Sequence, residues 1–316
     1  ILLRSRYILQ NFRNQFGTYT FLYCLYCNFS QIYALYMDEK HTTLATIDEQ
    51  SKAKADLEFT DETGVTHRLW IETDEEIIAK LVADFADRKL YIADGHHRYE
   101  TALNYRNYCR ENGISKPGDP QDFQMIYLVD MEHPGLVVFP THRLVRDLPN
   151  FDKEAVLEKC SEFFYIDEKE GTDTMEEDLK KLYDEGKKAF GFYCGKGEWF
   201  LLTLKNIDFM SQMLPNVSKA SQSLDVSVLH TLILEKIFGI DKENMAKQIN
   251  LTYTKFFTEA IDGVDKGEFQ CSFVLNPTRV TEIRDVAAAG EKMPQKSTYF
   301  YPKMITGMVM NNLGVD

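Results

Sequence analysis

The sequence predicts a mixed α/β fold, of the α+β kind, built as two domains. Patterns typical of strands and of amphipathic helices alternate along the chain from about residue 30 onward. The chain has 316 residues, and 44% of them are hydrophobic, which is enough for two buried cores. Composition changes at "DLPNFDKE", near residue 150. We therefore expect an atypical segment over residues 1–27, a first domain over 28–150 and a second α+β domain over 151–316.

The first domain opens with a predicted strand, "QIYALYMD", and continues with a helix in "ETDEEIIAKLVADFADR". The helix is predicted because five apolar residues fall on one face at helical spacing: Ile77, Ile78, Leu81, Val82 and Phe85. Thr73 with Glu76 predicts a capping box at its start. The run "KLYIA" predicts a short buried strand, and "RYETALNYRNYCREN" predicts a helix that ends at Gly113. The predicted apolar face of this second helix consists of Tyr99, Ala102, Leu103 and Cys109.

Aromatic and β-branched residues predict strands in "QMIYLVDM" and "GLVVFPTHRLV", where Pro140 limits the second run. In the second domain we expect helices in "NFDKEAVLEKCSEFF" and "DTMEEDLKKLYDEG", separated by a short strand at Tyr165 and Ile166. A hairpin is predicted for "KAFGFYC" and "WFLLTLK". "DVSVLHTLILEKIFG" predicts an amphipathic helix capped by Asp225, with His230 interpreted as a histidine at the core edge.

Composition also bounds the partners of the protein. Asp and Glu number 49 against 36 Lys and Arg, a formal charge of -13, so no nucleic-acid partner is expected. The longest apolar runs fall well short of the roughly 20 residues of a spanning helix, and no signal peptide is predicted; we expect a soluble, cytoplasmic protein with no membrane partner. Cys24 and Cys27 form a lone C-x-x-C pair, from which neither a disulfide framework nor a metal site is predicted.

The most informative stretch is "YIADGHHRYETAL", in which Asp94, Gly95, His96, His97 and Arg98 stand at a predicted strand-to-helix junction. A helix start leaves backbone N–H groups without partners and carries a partial positive charge, so it attracts phosphate. The glycine allows close approach of the backbone, and the arginine offers a planar fork of donors. The histidines donate or accept according to protonation, and the aspartate can orient a histidine, hold a metal ion or accept a proton. These are the parts of a site for nucleotide phosphates.

The alternative for this stretch is purely structural. Asp-Gly is a common turn, Asp is a good helix cap, and a histidine near a helix start is often a hydrogen-bonded structural residue.

Two further groups are weaker candidates. His142 and Arg143 follow a predicted strand and would line the same pocket, or else belong to a surface loop. "MPQKSTYFYPK" suggests a rigid loop whose Lys296 reaches a phosphate, or else a structural loop before the last strand. "GFYCGKGEW" has part of the spacing of a phosphate loop but no Ser or Thr after the Lys, so it is interpreted as a hairpin turn.

The sequence resembles a bacterial and archaeal family known as domain of unknown function 1015, often described as SpoOJ/ParA/ParB/RepB family proteins. The resemblance rests on "ADGHHRYETAL", "NFSQIYALY", "FPTHRLV", "LDVSVLH", "VLNPTRV" and "MPQKSTYFYPK" and extends over roughly residues 28–316. The turn is also similar to that of the wider ParB and sulfiredoxin superfamily, in which a Gly-x-His/Arg-Arg turn at a helix start binds nucleotide phosphates. This implies a ParB/sulfiredoxin-like nucleotide-binding unit over residues 28–150, followed by a second α+β part.

By position, the resemblance makes Gly95 the superfamily glycine and His97 with Arg98 its phosphate contacts. His96 stands where sulfiredoxins have their reactive cysteine, and histidine cannot form the sulfur linkage that sulfinic-acid reduction requires. The net charge disfavours the DNA-binding branch of partition proteins, so the free-serine-kinase branch remains. Those kinases take an acidic catalytic residue from their N-terminal part, to which residues 1–27 show no resemblance.

The implied function is that of an ATP- or ADP-dependent phosphotransferase, with Mg²⁺, acting on a small hydroxylated metabolite such as free serine. The alternatives are a non-catalytic nucleotide-sensing module related to the partition proteins, and a structural member without a ligand. The catalytic residues would be Asp94 and His97, and the nucleotide-binding residues would be Gly95, His96, His97, Arg98, His142, Arg143 and Lys296.

Overall fold

A computed structural model describes residues 26–303 and 305–314. The expectations for residues 1–25, including Cys24, lie outside the described residues. The chain divides into two compact units: the first runs as far as Leu136 and includes the segment from Pro302 onward, and the second comprises Val137–Tyr301. Helices and several sheets are present, so the predicted mixed α/β class is confirmed.

The first unit contains a three-stranded sheet whose middle strand is fully buried. Before it, β1 (Cys27–Asn28) pairs with a strand at Asn311–Asn312. The middle strand, β2 (Ile32–Tyr36), is followed by a separate hairpin of β3 (Leu57–Thr60) and β4 (Thr66–Leu69). The sheet is completed by β5 (Tyr91–Asp94), antiparallel to β2, and by β6 (Ile126–Asp130), parallel to it. The three strands predicted here are confirmed, but β5 is only half-buried because it lies at an edge of the sheet.

Three α-helices belong to the described part of this unit: α1 (Thr42–Gln50), α2 (Glu75–Phe85) and α3 (His96–Glu111). The predicted capping box of α2 is wrong, because Asp74 caps the helix and accepts hydrogen bonds from the N–H groups of Glu76 and Ile77 at 2.8 and 3.3 Å. On its apolar face, Ile77, Leu81 and Phe85 are half-buried and Ile78 and Val82 are exposed, and no residue of α2 is fully buried.

The end of α3 before Gly113, which has positive φ, agrees with the prediction, but the helix begins at His96, two residues before the predicted start at Arg98. Its buried residues are Thr101, Tyr105 and Cys109. Of the predicted apolar face, Cys109 is buried, Ala102 and Leu103 are half-buried, and Tyr99 is exposed, so the prediction is correct in part. Thr101 can be buried because its hydroxyl donates to the backbone carbonyl of His97 at 2.6 Å. A satisfied polar residue therefore faces the core where the pattern assigned apolar residues.

The second unit is built on a six-stranded antiparallel sheet of order β12-β8-β13-β10-β11-β9. A separate strand pair joins β7 (Val137–Phe139) to β14 (Tyr299–Tyr301). Pro140 separates β7 from β8, as predicted. The predicted hairpin is β10 and β11, with Lys196 at positive φ in its turn. The sheet strands are β8 (His142–Val145), β9 (Phe164–Glu170), β10 (Ala189–Gly195), β11 (Glu198–Leu204), β12 (Leu251–Thr254) and β13 (Cys271–Val274).

Buried aromatic and aliphatic residues of this sheet and its helices form the largest cores of the described chain. The predicted cap Asp225 is wrong: Leu224 occupies the cap position, and the Asp225 carboxylate pairs with the Lys188 ammonium at 2.9 Å. After Val228 the helix continues as a π-helix, Leu229–Glu235. The α-helices of this unit are α4 (Lys153–Cys160), α5 (Met175–Asp184), α6 (Asp208–Met213), α7 (Lys219–Gln222), α8 (Asp225–Val228), α9 (Lys242–Lys247), α10 (Phe257–Asp265) and α11 (Val280–Ala288).

In the portion of the chain that the structure describes, none of the helices combines the length and the apolar character needed to cross a membrane.

Candidate functional site

The predicted strand-to-helix junction is confirmed. Asp94 is the last residue of β5, Gly95 is the N-cap, and α3 begins at His96. Asp94 pairs with Tyr33 across the sheet, so the turn lies at the end of the sheet where β2 begins.

Two features explain why glycine occupies the cap position. Gly95 has φ +93°, in the left-handed region that glycine adopts without steric cost. A Cβ atom there would lie 2.9 Å from Nη2 and 3.0 Å from Nε of Arg98. The guanidinium thus packs directly against the turn, in space that a side chain would occupy.

Arg98 ties the turn to the start of β2. Its Nη2 donates to Oδ2 of Asp94 at 2.8 Å, and its Nη1 donates to the backbone carbonyl of Gln31. A guanidinium has five N–H donors in a fixed fork. The side chain is 30% exposed, so the donors not used in these two bonds remain near solvent and available to an anion.

The start of α3 differs from those of α2 and α4. Asp74 and Asp152 cap those helices, whereas no side chain of the described residues caps α3, and the first turn of α3 contains no acidic residue. The N–H of Tyr99 makes a regular helical bond to the carbonyl of Gly95 at 3.0 Å. The backbone N–H groups before Tyr99, at the start of α3, are in the position from which helices donate hydrogen bonds to anions.

The two histidines have different environments. The His97 side chain is 92% exposed, with Nδ1 lying 3.6 Å from Oε2 of Glu100. His96 is half-buried and makes contacts of its own. His97 is therefore the histidine that a bound ligand can reach without any rearrangement.

We expect Gly95→Ala to lower the free energy of unfolding by about 1–2 kcal/mol, because alanine is strained at this φ. It should also displace the Arg98 guanidinium. Gly113→Ala is the matched control: its φ is +67°, but no atom of the described residues lies within 4 Å of the added Cβ. Urea unfolding should show a larger loss at Gly95 than at Gly113. Equal losses would mean that the packing of Arg98 against the turn contributes no stability.

The second predicted group, His142, Arg143 and Lys296, belongs to the second unit, whereas Asp94–Arg98 belong to the first. His142 and Arg143 are buried residues of β8, not part of a surface loop. Nδ1 of His142 accepts a hydrogen bond from the N–H of Leu275 at 3.4 Å. Burial, with the nearby charge of Arg143, lowers the pKa of His142 to about 4, so its ring is neutral near pH 7.

Arg143 is fully buried, and both of its Nη atoms donate to protein groups, whereas its Nε has no hydrogen-bond partner among the described residues. Nη1 donates to the carbonyl of Thr141, and Nη2 donates to the carbonyl of Lys296 at 3.0 Å and to Nε2 of His230 at 3.1 Å. The guanidinium also lies over the ring of Tyr253, 5.3 Å from its centroid. The structure thus joins Arg143 to Lys296 through a backbone carbonyl, while the lysine side chain is exposed.

Sequence reasoning missed two buried acids, Asp38 and Asp130, at the end of the three-stranded sheet where β2 ends. Asp38 is buried, accepts a hydrogen bond from the N–H of Thr43 at 2.8 Å and pairs with Nη2 of Arg88 at 3.0 Å. Burial alone would raise the pKa of Asp38, but the Thr43 hydrogen bond and the Arg88 charge lower it below its ordinary value. Asp130 ends β6 and is equally buried.

A signal for this pair was present in the sequence, since each acid stands at or just after the end of an apolar run that predicts a strand, in "YALYMD" and "IYLVD". Asp130 pairs with Tyr36 and Asp94 with Tyr33, so the two ends are about 10 Å apart along β2 at ~3.3 Å per residue. The pair is therefore separate from the turn at Gly95.

Comparison with known proteins gives a family and several distant structures. The family described as "Protein of unknown function (DUF1015)" matches residues 22–227. No curated protein matches the sequence.

Among solved structures, a conserved hypothetical protein from Pyrococcus furiosus is 19% identical, with a TM-score of 0.39 over 71% of this chain and 75% of its own. Free serine kinase in complex with AMP is 14% identical, with a TM-score of 0.38 over 85% of this chain and 83% of its own. A variant of that kinase in complex with ADP is 13% identical, with a TM-score of 0.37 over the same shares. Superpositions at these scores do not establish a common fold.

Proposed function

We propose that this protein is a nucleotide-binding phosphotransferase acting on a small hydroxylated metabolite. The chain belongs to the DUF1015 family, because the family match covers more than half of the chain. The observation that carries this proposal is the uncapped start of α3, where Gly95 and Arg98 lie together. The similarity of the turn to the phosphate-binding turn of the ParB and sulfiredoxin superfamily supports it. ATP or ADP is the proposed nucleotide.

The residues of the turn fit a phosphate group. The first N–H groups of α3, the unused donors of Arg98 and the exposed imidazole of His97 are all suited to phosphate oxygens. Phosphoryl transfer depends mainly on positioning and charge neutralisation, which are the contributions such donors make. His96 would support the turn from its half-buried position.

Asp94 is the proposed acidic group of the site. Its side chain is 51% exposed, and Mg²⁺ is commonly bound through one or two carboxylates together with phosphate oxygens. Asp94 would hold such an ion or accept the proton of the substrate hydroxyl. A substrate with an aliphatic hydroxyl, such as free serine, is the class that the superfamily resemblance favours.

The ion pair between Asp94 and Arg98 favours a second candidate, a nucleotide sensor without catalysis. A phosphate that takes up the Arg98 donors competes with the Asp94 carboxylate, which lies 2.8 Å from Nη2. Binding would then change the turn itself. Thermal stabilisation by a nucleotide without phosphate transfer to small alcohols or hydroxy amino acids would support the sensor, and transfer would support the phosphotransferase.

We expect Arg98→Ala to weaken ATP or ADP binding by about 2–3 kcal/mol, because it removes charge-assisted donors to the phosphates. The fold should persist, since the side chain is partly exposed at a helix start. Calorimetry on folded protein measures the effect. Arg106→Ala is the matched control: it lies in the same helix and bonds only to the neighbouring Asn107 among the described residues.

His97→Ala should also weaken nucleotide binding, because it removes an exposed side chain that can donate to a phosphate oxygen. If the Arg98→Ala and His97→Ala variants both bind nucleotide as tightly as the wild type, the phosphate site is refuted. The turn would then be a structural junction only.

A further inference from the structure

The second unit contains a cavity of about 470 Å³, bounded by residues of Val137–Tyr301 only. This volume lies within the range of small-molecule sites, about 300–1,000 Å³. Leu214, Val217 and Met245 supply apolar wall, and Ser227, His230 and Thr231 supply polar groups. The composition is that of a ligand pocket, in which a mostly apolar wall carries a few polar groups.

The polar side of the cavity is formed in part by the π-helix. His230, Thr231 and Glu235 all line the cavity and all belong to Leu229–Glu235. The N–H of Lys236 bonds to the carbonyl of Thr231, five residues before it, at 3.3 Å. π-helical turns are rare and occur frequently at functional sites.

The protonation of His230 follows from its contact with Arg143. A guanidinium only donates, so Nε2 of His230 accepts from Nη2 of Arg143, and a neutral ring then carries its proton on Nδ1. Burial and the Arg143 charge lower the pKa of His230 well below its ordinary value, which agrees with a neutral ring. His230 is only 9% exposed, and within the described residues its Nδ1–H has no hydrogen-bond acceptor.

Two hydroxyl groups stand beside this donor in the cavity wall. Ser227 is 6% exposed, and Thr231 follows His230 in the chain. Neither side chain has a hydrogen-bond partner in residues 26–303 or 305–314. Neither oxygen is among the fully buried atoms of the described residues that lack a partner, so both hydroxyls are accessible from the cavity, where a ligand acceptor would replace water.

The ionisable side chains that line the cavity carry no net charge. Lys242 and Lys292 line it together with Glu235 and Glu291, so these charges balance. The Glu291 carboxylate already accepts hydrogen bonds from the N–H and hydroxyl of Ser218, at 2.7 and 2.6 Å, and from the hydroxyl of Ser221.

Behind His230 lies Arg143, which forms no ion pair with any carboxylate of the described residues. Its buried positive charge is thus not neutralised locally, and it polarises the imidazole toward donation from Nδ1.

We propose that this cavity binds a small molecule that combines a carboxylate with an apolar body. The carboxylate accepts hydrogen bonds from Nδ1–H of His230 and from the hydroxyls of Ser227 and Thr231. The hydrocarbon part contacts Leu214, Val217 and Met245. Arg143 acts as a positioning residue that fixes the His230 tautomer. The site is independent of the proposed nucleotide site at Gly95.

The test uses three probes of the same chain length, hexanoate, hexanol and hexylamine, on the full chain. Binding is followed by calorimetry and by NMR of ¹³C-methyl methionine, because Met245 lines the cavity. Hexanoate should shift the Met245 signal and bind at least about ten-fold more tightly than hexanol, the equivalent of one charge-assisted hydrogen bond. Hexylamine should not bind.

The double variant Ser227→Ala with Thr231→Val should lose about ten-fold or more of the hexanoate affinity and leave hexanol binding unchanged. Thr203→Val is the matched control, since Thr203 is likewise half-buried in this unit but does not line the cavity. Absence of hexanoate binding, equal affinity for hexanoate and hexanol, or unchanged affinity in the folded double variant would overturn the proposal. If the double variant does not fold, the ranking of the three probes on the wild type decides by itself.

Discussion

Replacing Asp38 by alanine is expected to lower the free energy of unfolding by about 3–5 kcal/mol, the usual cost of removing one partner of a buried ion pair. Its carboxylate is 3% exposed and receives both the Thr43 N–H and the Arg88 guanidinium. Without it, Arg88 keeps its charge at 18% exposure next to the rings of Tyr36 and Phe85. Urea unfolding of the two proteins measures the loss.

The control is Asp87→Ala, which removes an exposed carboxylate close to the same arginine in sequence and should change stability by no more than about 0.5 kcal/mol. The pH dependence gives a second check. The folded-state pKa of Asp38 lies below the unfolded value of about 3.9, so the carboxylate stabilises the fold above that pH. This contribution is lost as the pH falls through the folded-state pKa. The difference between wild type and variant should therefore shrink in acid; a difference that is constant with pH would show that Asp38 acts through packing alone.

The correctly predicted parts of the fold are those determined by the pattern of residues that are neighbours in the sequence. The buried strand Ile32–Tyr36, the hairpin of β10 and β11 and the turn at Gly95 each follow from residues that are adjacent in the chain. Glycine at the turn is a local requirement, because φ there is positive and a Cβ would meet Arg98. Such features need no knowledge of the remote chain.

The errors arose where neighbours remote in sequence decide burial. The pairing of β1 with β15 (Asn311–Asn312) returns the end of the described chain to the first unit, which no local pattern indicates. The sequence indicates either a pocket residue or a surface-loop residue at Arg143. The side chain is instead buried in a strand, where acceptors at Lys296 and His230 reach it from distant positions in the chain. The predicted cap Thr73 and the observed cap Asp74 are adjacent, and the spacing of apolar residues does not locate the first residue of a helix to within one position.

The same buried arginine gives the second large effect. Arg143→Ala is expected to lower the free energy of unfolding by about 3–5 kcal/mol, through a cavity in the core and through the unpaired carbonyls of Thr141 and Lys296. Relief of a buried charge without a carboxylate partner offsets part of this loss. Thermal and urea unfolding measure the net change, with Arg146→Ala, whose side chain is 43% exposed, as a control expected within about 0.5 kcal/mol of wild type.

Arg143→Met separates the two causes, because methionine restores much of the volume but donates no hydrogen bond. If the hydrogen bonds to Thr141, Lys296 and His230 stabilise the unit, the methionine variant should still lose about 1–3 kcal/mol. A methionine variant as stable as the wild type would show that the guanidinium is a net cost to folding. An arginine that destabilises the fold would indicate a functional role, namely orienting His230 in the cavity wall. The hexanoate affinity of the Arg143→Met variant would measure that role directly.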